Sequence, residues 1–380
     1  MEQKPGRRET VPMVSELIAP FHDAVTNREA NLNRLASEGN RLMGYFCTYT
    51  PIELLHASGF VPVRIMGEAP KVEKAYNLVP DFICPYLRKA VERGLEGAYK
   101  SLAGIVQGYT CDVTCGLVDI WKENMGGEVF HILPLPYLDQ ASSRSFLRSG
   151  ITDLVEKLSE AGGAYSEQRL ADSLDLYAGI RSRIASLYDL RSRRFLPITA
   201  REFLIVVNAF FVTPPERYLA MLEALGQALP EAPPLNGGIP VLVSGSLVED
   251  PDMLGIIEES GGIVVSDDLC TGYRAFSPVD GHGNDPVERL IDRTMNRFPC
   301  PTRSSAEDRI PRLLSLMERS GARAVVFLVQ KFCTPHLGDL PTVREALSRL
   351  DIPSILIEIE EAGTMGGQNL TRINSFFEML

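Results

Sequence analysis

No uninterrupted apolar run in the 380-residue chain approaches the ~18 residues needed to cross a bilayer, so no membrane span is expected. There is no sustained basic run either, and the net charge is −11, which argues against nucleic acid as a partner. The opening stretch, MEQKPGRRETVP, carries no apolar segment after its charges; no secretion signal is expected, and the cytoplasm is the expected compartment. A G-x-x-x-x-G-K-[ST] loop is absent, so the chain is not expected to hydrolyse ATP itself. No G-x-G-x-x-G opens a helix after a strand, and Gly281-His-Gly283 lacks the third glycine, which disfavours a nicotinamide cofactor. The absence of G-x-S-x-G removes the hydrolase nucleophile elbow. Histidine is scarce, at five residues, and none falls in an H-E-x-x-H or H-x-x-E-H pattern. His22, His56, His131 and His282 read as structural or exposed. His336, three residues after a cysteine, is retained as a candidate proton donor.

What the chain does carry is cysteine in turns. All seven cysteines sit beside Pro, Gly, Asp or Thr, and none falls inside a continuous apolar run. A disulfide framework is not expected in a reducing compartment, and this placement suits ligands better than core packing. The stretch from Cys84 to Cys115 organises the rest. Ala103 to Val106 reads as a buried strand ending in Gln107-Gly108-Tyr109-Thr110, followed by Cys111 and Cys115. If a helix begins at Asp112, those two thiols lie one turn apart on one face. They then occupy the C-terminal edge of a strand and the N-terminus of a helix, where α/β sheets bind ligands and where N–H groups favour thiolate. Structural zinc sites usually gather tight C-x2-C pairs, whereas here the one close pair is C-x3-C and the other cysteines are widely spaced. That spacing favours an iron–sulfur cluster assembled by the fold at a domain interface.

The length exceeds one ordinary core, so two domains are expected, within an ordinary soluble composition of 45% hydrophobic and 23% charged residues. The fold class is α/β, with doubly wound sheets. Residues 1–40 form an N-terminal helical segment, 41–142 the first domain, 143–236 a helical connector, and 237–380 the second domain. Residues 14–38 read as one amphipathic helix, and strands are expected at 42–46, 61–65, 103–106 and 128–133. The connector is divided by Pro197, Pro214-Pro215 and the Pro230–Gly238 loop. In the second half, strands are expected at 239–243, 263–265, 324–329 and 354–359. Helices are expected at 250–260, from about 340, and at 370–379. In each half the third strand ends in a polar turn with cysteine, Gln107-Gly-Tyr-Thr-Cys111 and Gln330-Lys-Phe-Cys333, so an internal duplication is plausible. Two such sheets facing each other by their strand C-termini would enclose one cleft, with Cys111 and Cys333 on opposite walls.

Several motifs carry a family resemblance: Gly44-Tyr-Phe-Cys-Thr-Tyr-Thr-Pro-Ile-Glu53 with Ala57-x-Gly59, Tyr109-Thr-Cys111-Asp112, Asp267-Asp-Leu-Cys-Thr-Gly272, Lys331-Phe-Cys333 and Gly367-Gln-x-x-Thr-Arg372. Together they are similar to the 2-hydroxyacyl-CoA dehydratase / benzoyl-CoA reductase family. The resemblance implies two Rossmann-like domains and a 4Fe–4S cluster held by three cysteines, which map to Cys84, Cys111 and Cys333. It also implies electrons from a separate ATP-hydrolysing iron–sulfur activator, in keeping with the missing phosphate loop. The further cysteines Cys115, Cys270 and Cys300 make the chain most like the double-cubane cluster branch, in which six thiolates hold an 8Fe–9S centre. Cys47 is then the spare, with Cys300 the other candidate for that place. The function implied is a homodimeric reductase of small molecules. The alternatives are a 2-hydroxyacyl-CoA dehydratase subunit, a lyase, or an electron-transfer or cluster-storage protein. Gln107, Tyr109, Lys331 and His336 are the polar side chains nearest the expected ligands and the candidates for proton delivery.

Overall fold

The structure is a computed structural model, and it describes residues 12–229, 237–279, 281–360 and 367–380. Residues 1–11 of the opening stretch and most of the Pro230–Gly238 loop lie outside the described residues. The strands are β1 (Arg41–Tyr45), β2 (Phe60–Arg64), β3 (Leu102–Gly108), β4 (Val129–Leu133), β5 (Ile239–Gly245), β6 (Gly262–Asp268), β7 (Ala324–Gln330) and β8 (Ser354–Ile359). They form two four-stranded sheets of the same topology, ordered β2-β1-β3-β4 and β6-β5-β7-β8, with every pair parallel. Parallel strands covered by helices on both faces are near-continuous apolar runs. β7, AVVFLVQ, is buried along its whole length.

In each sheet the chain steps from the first strand to one neighbour and then back across to the other. The crevice between the first and third strands is therefore a topological switch point, open at the strand C-termini. The two sheets use glycine alike at one close approach. A Cβ on Gly104 would overlap the Val129 carbonyl oxygen, and one on Gly245 would overlap that of Leu328.

The connector comprises four helices, Ala141–Glu160, Glu167–Ser192, Ala200–Ala209 and Pro215–Ala228. Their starts are set by side-chain caps. Ser166 Oγ accepts from Arg169 N–H, and Thr199 with Glu202 makes a reciprocal capping box. Ser173 Oγ donates to Glu53 O (2.8 Å) in the helix Ile52–Ala57, and Tyr188 Oη donates to Asp267 Oδ2 (2.6 Å) on β6, so the long helix Glu167–Ser192 is tied to both halves. The N-terminal helix Pro12–Thr26 packs on the same bundle, with Phe21 edge-on to Tyr218 at 6.0 Å.

Three expectations change. The helix expected over 14–38 is two helices, Pro12–Thr26 and Arg28–Ser37, which meet at Asn27 with the Asn27 amide donating to Asp23 Oδ1. The helix expected from about 340 begins at Thr334: Pro335 lies in its first turn, where the missing N–H costs nothing, and Pro341 is accommodated within it. The stretch 270–320, to which the sequence assigns no element, holds the helices Tyr273–Phe276, Pro286–Met295 and Ala306–Ser320. Among the described residues, no helix is long and apolar enough to cross a membrane.

Candidate metal centre

Five of the seven cysteines follow strand C-termini or open helices. Cys47 follows β1, and Cys270 follows β6. Cys84, Cys111 and Cys333 are the N-cap residues of the helices Pro85–Leu95, Asp112–Asn124 and Thr334–Arg349. Cys115 lies one turn into the second of these, its N–H donating to Cys111 O (3.3 Å). Cys300, between the helices Pro286–Met295 and Ala306–Ser320, is 4% exposed. All seven are free thiols.

The switch points explain how distant cysteines meet. Cys47 and Cys111 leave the first sheet at the C-termini of β1 and β3, and Cys333 leaves the second at the C-terminus of β7. The sulfurs are near enough to perturb one another. Burial raises the Cys84 thiol, and charges on Cys333 and Cys111 raise it further. Cys333 is pushed up to about 12 by burial, with Cys111 and Cys300 adding to the rise. Burial and Cys111 push Cys115 up to about 11. Burial raises Cys111, and Cys47 contributes, so Cys47 lies among the same sulfurs. The Cys270 thiol donates toward Cys300; that bond holds Cys300 far below its ordinary value and Cys270 above it.

Four arginines join the two halves around these sulfurs or order their loops. Arg64, on β2, donates from Nε to Phe46 O (3.0 Å) and from Nη1 to Cys270 O (3.0 Å), which links the Cys47 and Cys270 loops. Arg297 donates to Thr48 O and lies over the Tyr49 ring at 4.9 Å. Arg293 Nε donates to Glu53 (2.8 Å) from the second half. Arg274 points its Nη1 at Cys300 Sγ (3.2 Å) and Cys270 Sγ (3.6 Å).

The polar candidates differ in their surroundings. Gln107 is fully buried; its Oε1 accepts from the N–H groups of Phe46 (3.0 Å) and Cys47 (3.2 Å), and its Nε2 donates to Gly108 O (2.8 Å). It fixes the Cys47 loop through both acceptor positions of Oε1. Gln330, its counterpart on β7, ties Tyr86 N–H (3.2 Å) to Leu247 O (3.0 Å). Tyr109 is exposed and donates to Asp112 Oδ1 (2.8 Å). Lys331 reaches outward to Glu360 (3.0 Å). His336 is buried, 3.4 Å from Arg274 Nη1, and burial lowers it to about 4. Phe332, beside Cys333, takes a positive φ of 63°, a strained conformation for a residue with a bulky side chain.

Sequence reading does not find the arginines or the role of Glu53. Arg274 follows the Asp267-Asp-Leu-Cys-Thr-Gly272 motif by two residues, and that nearness is the only local signal. Among the described residues, no group of three or more His, Cys, Asp or Glu side chains is arranged to hold a single metal ion.

Comparison with known proteins identifies the scaffold. The family model described as 2-hydroxyglutaryl-CoA dehydratase, D-component, matches residues 47–380. The chain belongs to this family. Across nearly its whole length it resembles other members. It is 25% identical over 365 residues to the (R)-phenyllactyl-CoA dehydratase beta subunit of Clostridium sporogenes, covering 95% of this chain and 97% of that one. It is 24% identical over 377 residues to the beta subunit of the (R)-2-hydroxyglutaryl-CoA dehydratase of Acidaminococcus fermentans, covering 97% and 100%. It is 25% identical over 337 residues to one of the subunits of the benzoyl-CoA reductase of Thauera aromatica, covering 86% and 87%. As a member of the D-component family the chain is thus an enzyme component, related to dehydratase and reductase subunits alike. The family match covers every cysteine described above.

Proposed function

We propose that the chain is a cytoplasmic iron–sulfur reductase, a homodimer, with an 8Fe–9S double-cubane centre held by Cys84, Cys111, Cys115, Cys270, Cys300 and Cys333. In this reading it reduces small molecules with electrons from a separate ATP-hydrolysing iron–sulfur protein. The observation that carries the reading is the gathering of buried and half-buried thiols from both halves, with Cys111, Cys270 and Cys333 following strand C-termini and Cys84, Cys115 and Cys300 on neighbouring helices and loops. Five of the six proposed ligands, all but Cys300, are held above or well above the ordinary thiol value, so without a cation they are neutral. Iron reverses that preference, because a bound cation stabilises thiolate, and sulfur-only donors suit iron–sulfur chemistry. Such a centre supplies one-electron transfer at low potential.

The protein's own contribution is geometric. Gln107 and Gln330 fix the loops beside Cys47 and Cys84, and the backbone N–H groups of Leu87, Thr114 and His336, in the first turns of the helices opening at Cys84, Cys111 and Cys333, favour thiolate there. A crevice of about 370 Å³ is lined in part by Pro85 and Gln330, which neighbour Cys84 and Cys333 in the chain. His336, buried and held below its ordinary value, lies 3.4 Å from Arg274 Nη1 and is in this reading a neutral hydrogen-bond partner at the centre, its proton-donor role being open to test. Tyr109 and Lys331 stand further out, at the surface.

A second reading, a 4Fe–4S dehydratase subunit, is favoured by one observation. Cys84, Cys111 and Cys333 are all N-caps and mutual electrostatic neighbours, a three-thiolate set on their own. Iron and acid-labile sulfide measured per chain on anaerobically purified protein separate the two. The first reading predicts about eight iron atoms, the second about four. Zinc without sulfide would overturn both.

A further inference from the structure

Arg274 is 2% exposed, and its guanidinium is held on every side. Nε donates to Asp268 Oδ1 (2.7 Å), and Nη2 donates to the carbonyls of Gly245 and Asp268. Asp268 is itself fixed: it is fully buried and also accepts from Ser244 Oγ (3.0 Å) and Arg309 Nη2 (3.1 Å). The one edge left over, Nη1, faces Cys300 Sγ at 3.2 Å, Cys270 Sγ at 3.6 Å and His336 Nε2 at 3.4 Å. The Cys111 sulfur meets a neutral partner, Thr114 Oγ1 at 3.6 Å. Cys270 and Cys300 therefore face a field unlike that at Cys111.

We propose that Arg274 is a positioning residue that makes the Cys270/Cys300 side of the metal centre the more easily reduced side. The inference rests on the reading that these cysteines ligate iron. A permanent positive charge with N–H groups aimed at ligand sulfur stabilises the form carrying one more electron. The added electron comes from an external one-electron donor and settles beside Cys270 and Cys300, with no proton taken up by the arginine.

The test uses anaerobically purified wild type, Arg274→Gln and Arg274→Lys. Iron is counted first, and each protein is then titrated with Ti(III) citrate under electron paramagnetic resonance. In Arg274→Gln the ratio of reduced to oxidised centre at a fixed potential is expected to fall at least tenfold, equivalent to about 59 mV for one electron. Arg274→Lys, which keeps the charge but loses the fork, is expected to fall by a smaller factor. An unchanged ratio in iron-replete Arg274→Gln overturns the proposal, as does an equal fall in both variants. If Arg274→Gln does not retain iron, Arg274→Lys carries the test: a lowered ratio supports the proposal and an unchanged one overturns it. Wild type without iron instead overturns the reading beneath it.

Discussion

Replacing Glu53 should loosen the joint between the two sheets. The residue is 3% exposed, and its Oε1 accepts from Arg293 Nε (2.8 Å) in the second half and from Arg181 Nη1 (3.1 Å) in the connector. Burial alone would raise its carboxyl; Arg293 and Arg181 outweigh that and hold it below its ordinary value. A carboxylate depressed in this way contributes stability that is present above its unfolded pKa and is lost as the pH falls through the folded one. Glu53→Ala leaves two buried guanidinium groups without this partner, and removing one member of a buried ion pair costs about 3–5 kcal/mol. Glu53→Gln keeps an acceptor and loses the charge, so the cost should be nearer that of a charge-assisted hydrogen bond, about 1.5–3 kcal/mol. Urea unfolding reads the loss. The single tryptophan, Trp121, is buried beside the first sheet against Phe46, so its fluorescence reports that half while far-UV circular dichroism reports the whole. Both midpoints should fall in the order wild type, Glu53→Gln, Glu53→Ala. A Glu53→Ala protein within ~0.5 kcal/mol of wild type, the range of an ordinary surface change, would refute the reasoning.

Three further outcomes are expected. Glu249 is raised to about 7, first by burial and then by Glu68, and accepts from Gly67 N–H across the two halves. The folded protein therefore binds this proton more tightly than the unfolded chain, so stability should fall as pH rises from the ordinary carboxylate range towards 7. Glu249→Gln should flatten that slope in urea midpoints taken between about pH 4.5 and 8; an unchanged slope would assign it elsewhere. Gly104→Ala and Gly245→Ala should each destabilise by several kcal/mol, because the new methyl group meets a carbonyl oxygen of the neighbouring strand; wild-type stability would mean that the strands can separate there. Cys47→Ala should keep most of its iron and Cys115→Ala should lose a share. The reverse pattern would exchange the spare cysteine with a ligand.

The strands are legible in the sequence because parallel strands buried on both faces are short apolar runs bounded by glycine and polar turns, as at Gly59 and Gly261-Gly262. The cysteines stand out for a related reason: turns after strands in such a sheet share one edge, so residues far apart in sequence meet there. The helix at Thr334 starts earlier than the sequence suggests because Pro335 and Pro341 look like breakers out of context. The helices Pro286–Met295 and Ala306–Ser320 are hidden in a stretch interrupted by Pro299, Pro301 and Pro311. The arginine contacts have no local signature. Arg64 with Cys270 and Arg293 with Glu53 are pairs separated by 206 and 240 positions, and no period or motif in the sequence announces them. The role of Gln107 is hidden likewise, because a buried amide that ties two backbone N–H groups looks the same in sequence as one awaiting a substrate.

The central claim is that the cysteine-lined cleft between the two sheets is where metal sits, and iron content in two single variants tests it most directly. Cys111 comes from the first sheet's switch point and Cys333 from the second's. Purified without oxygen and assayed for iron per chain, Cys111→Ala and Cys333→Ala should each hold clearly less iron than wild type. Full iron in both would contradict the account, because the metal would then lie outside the cleft.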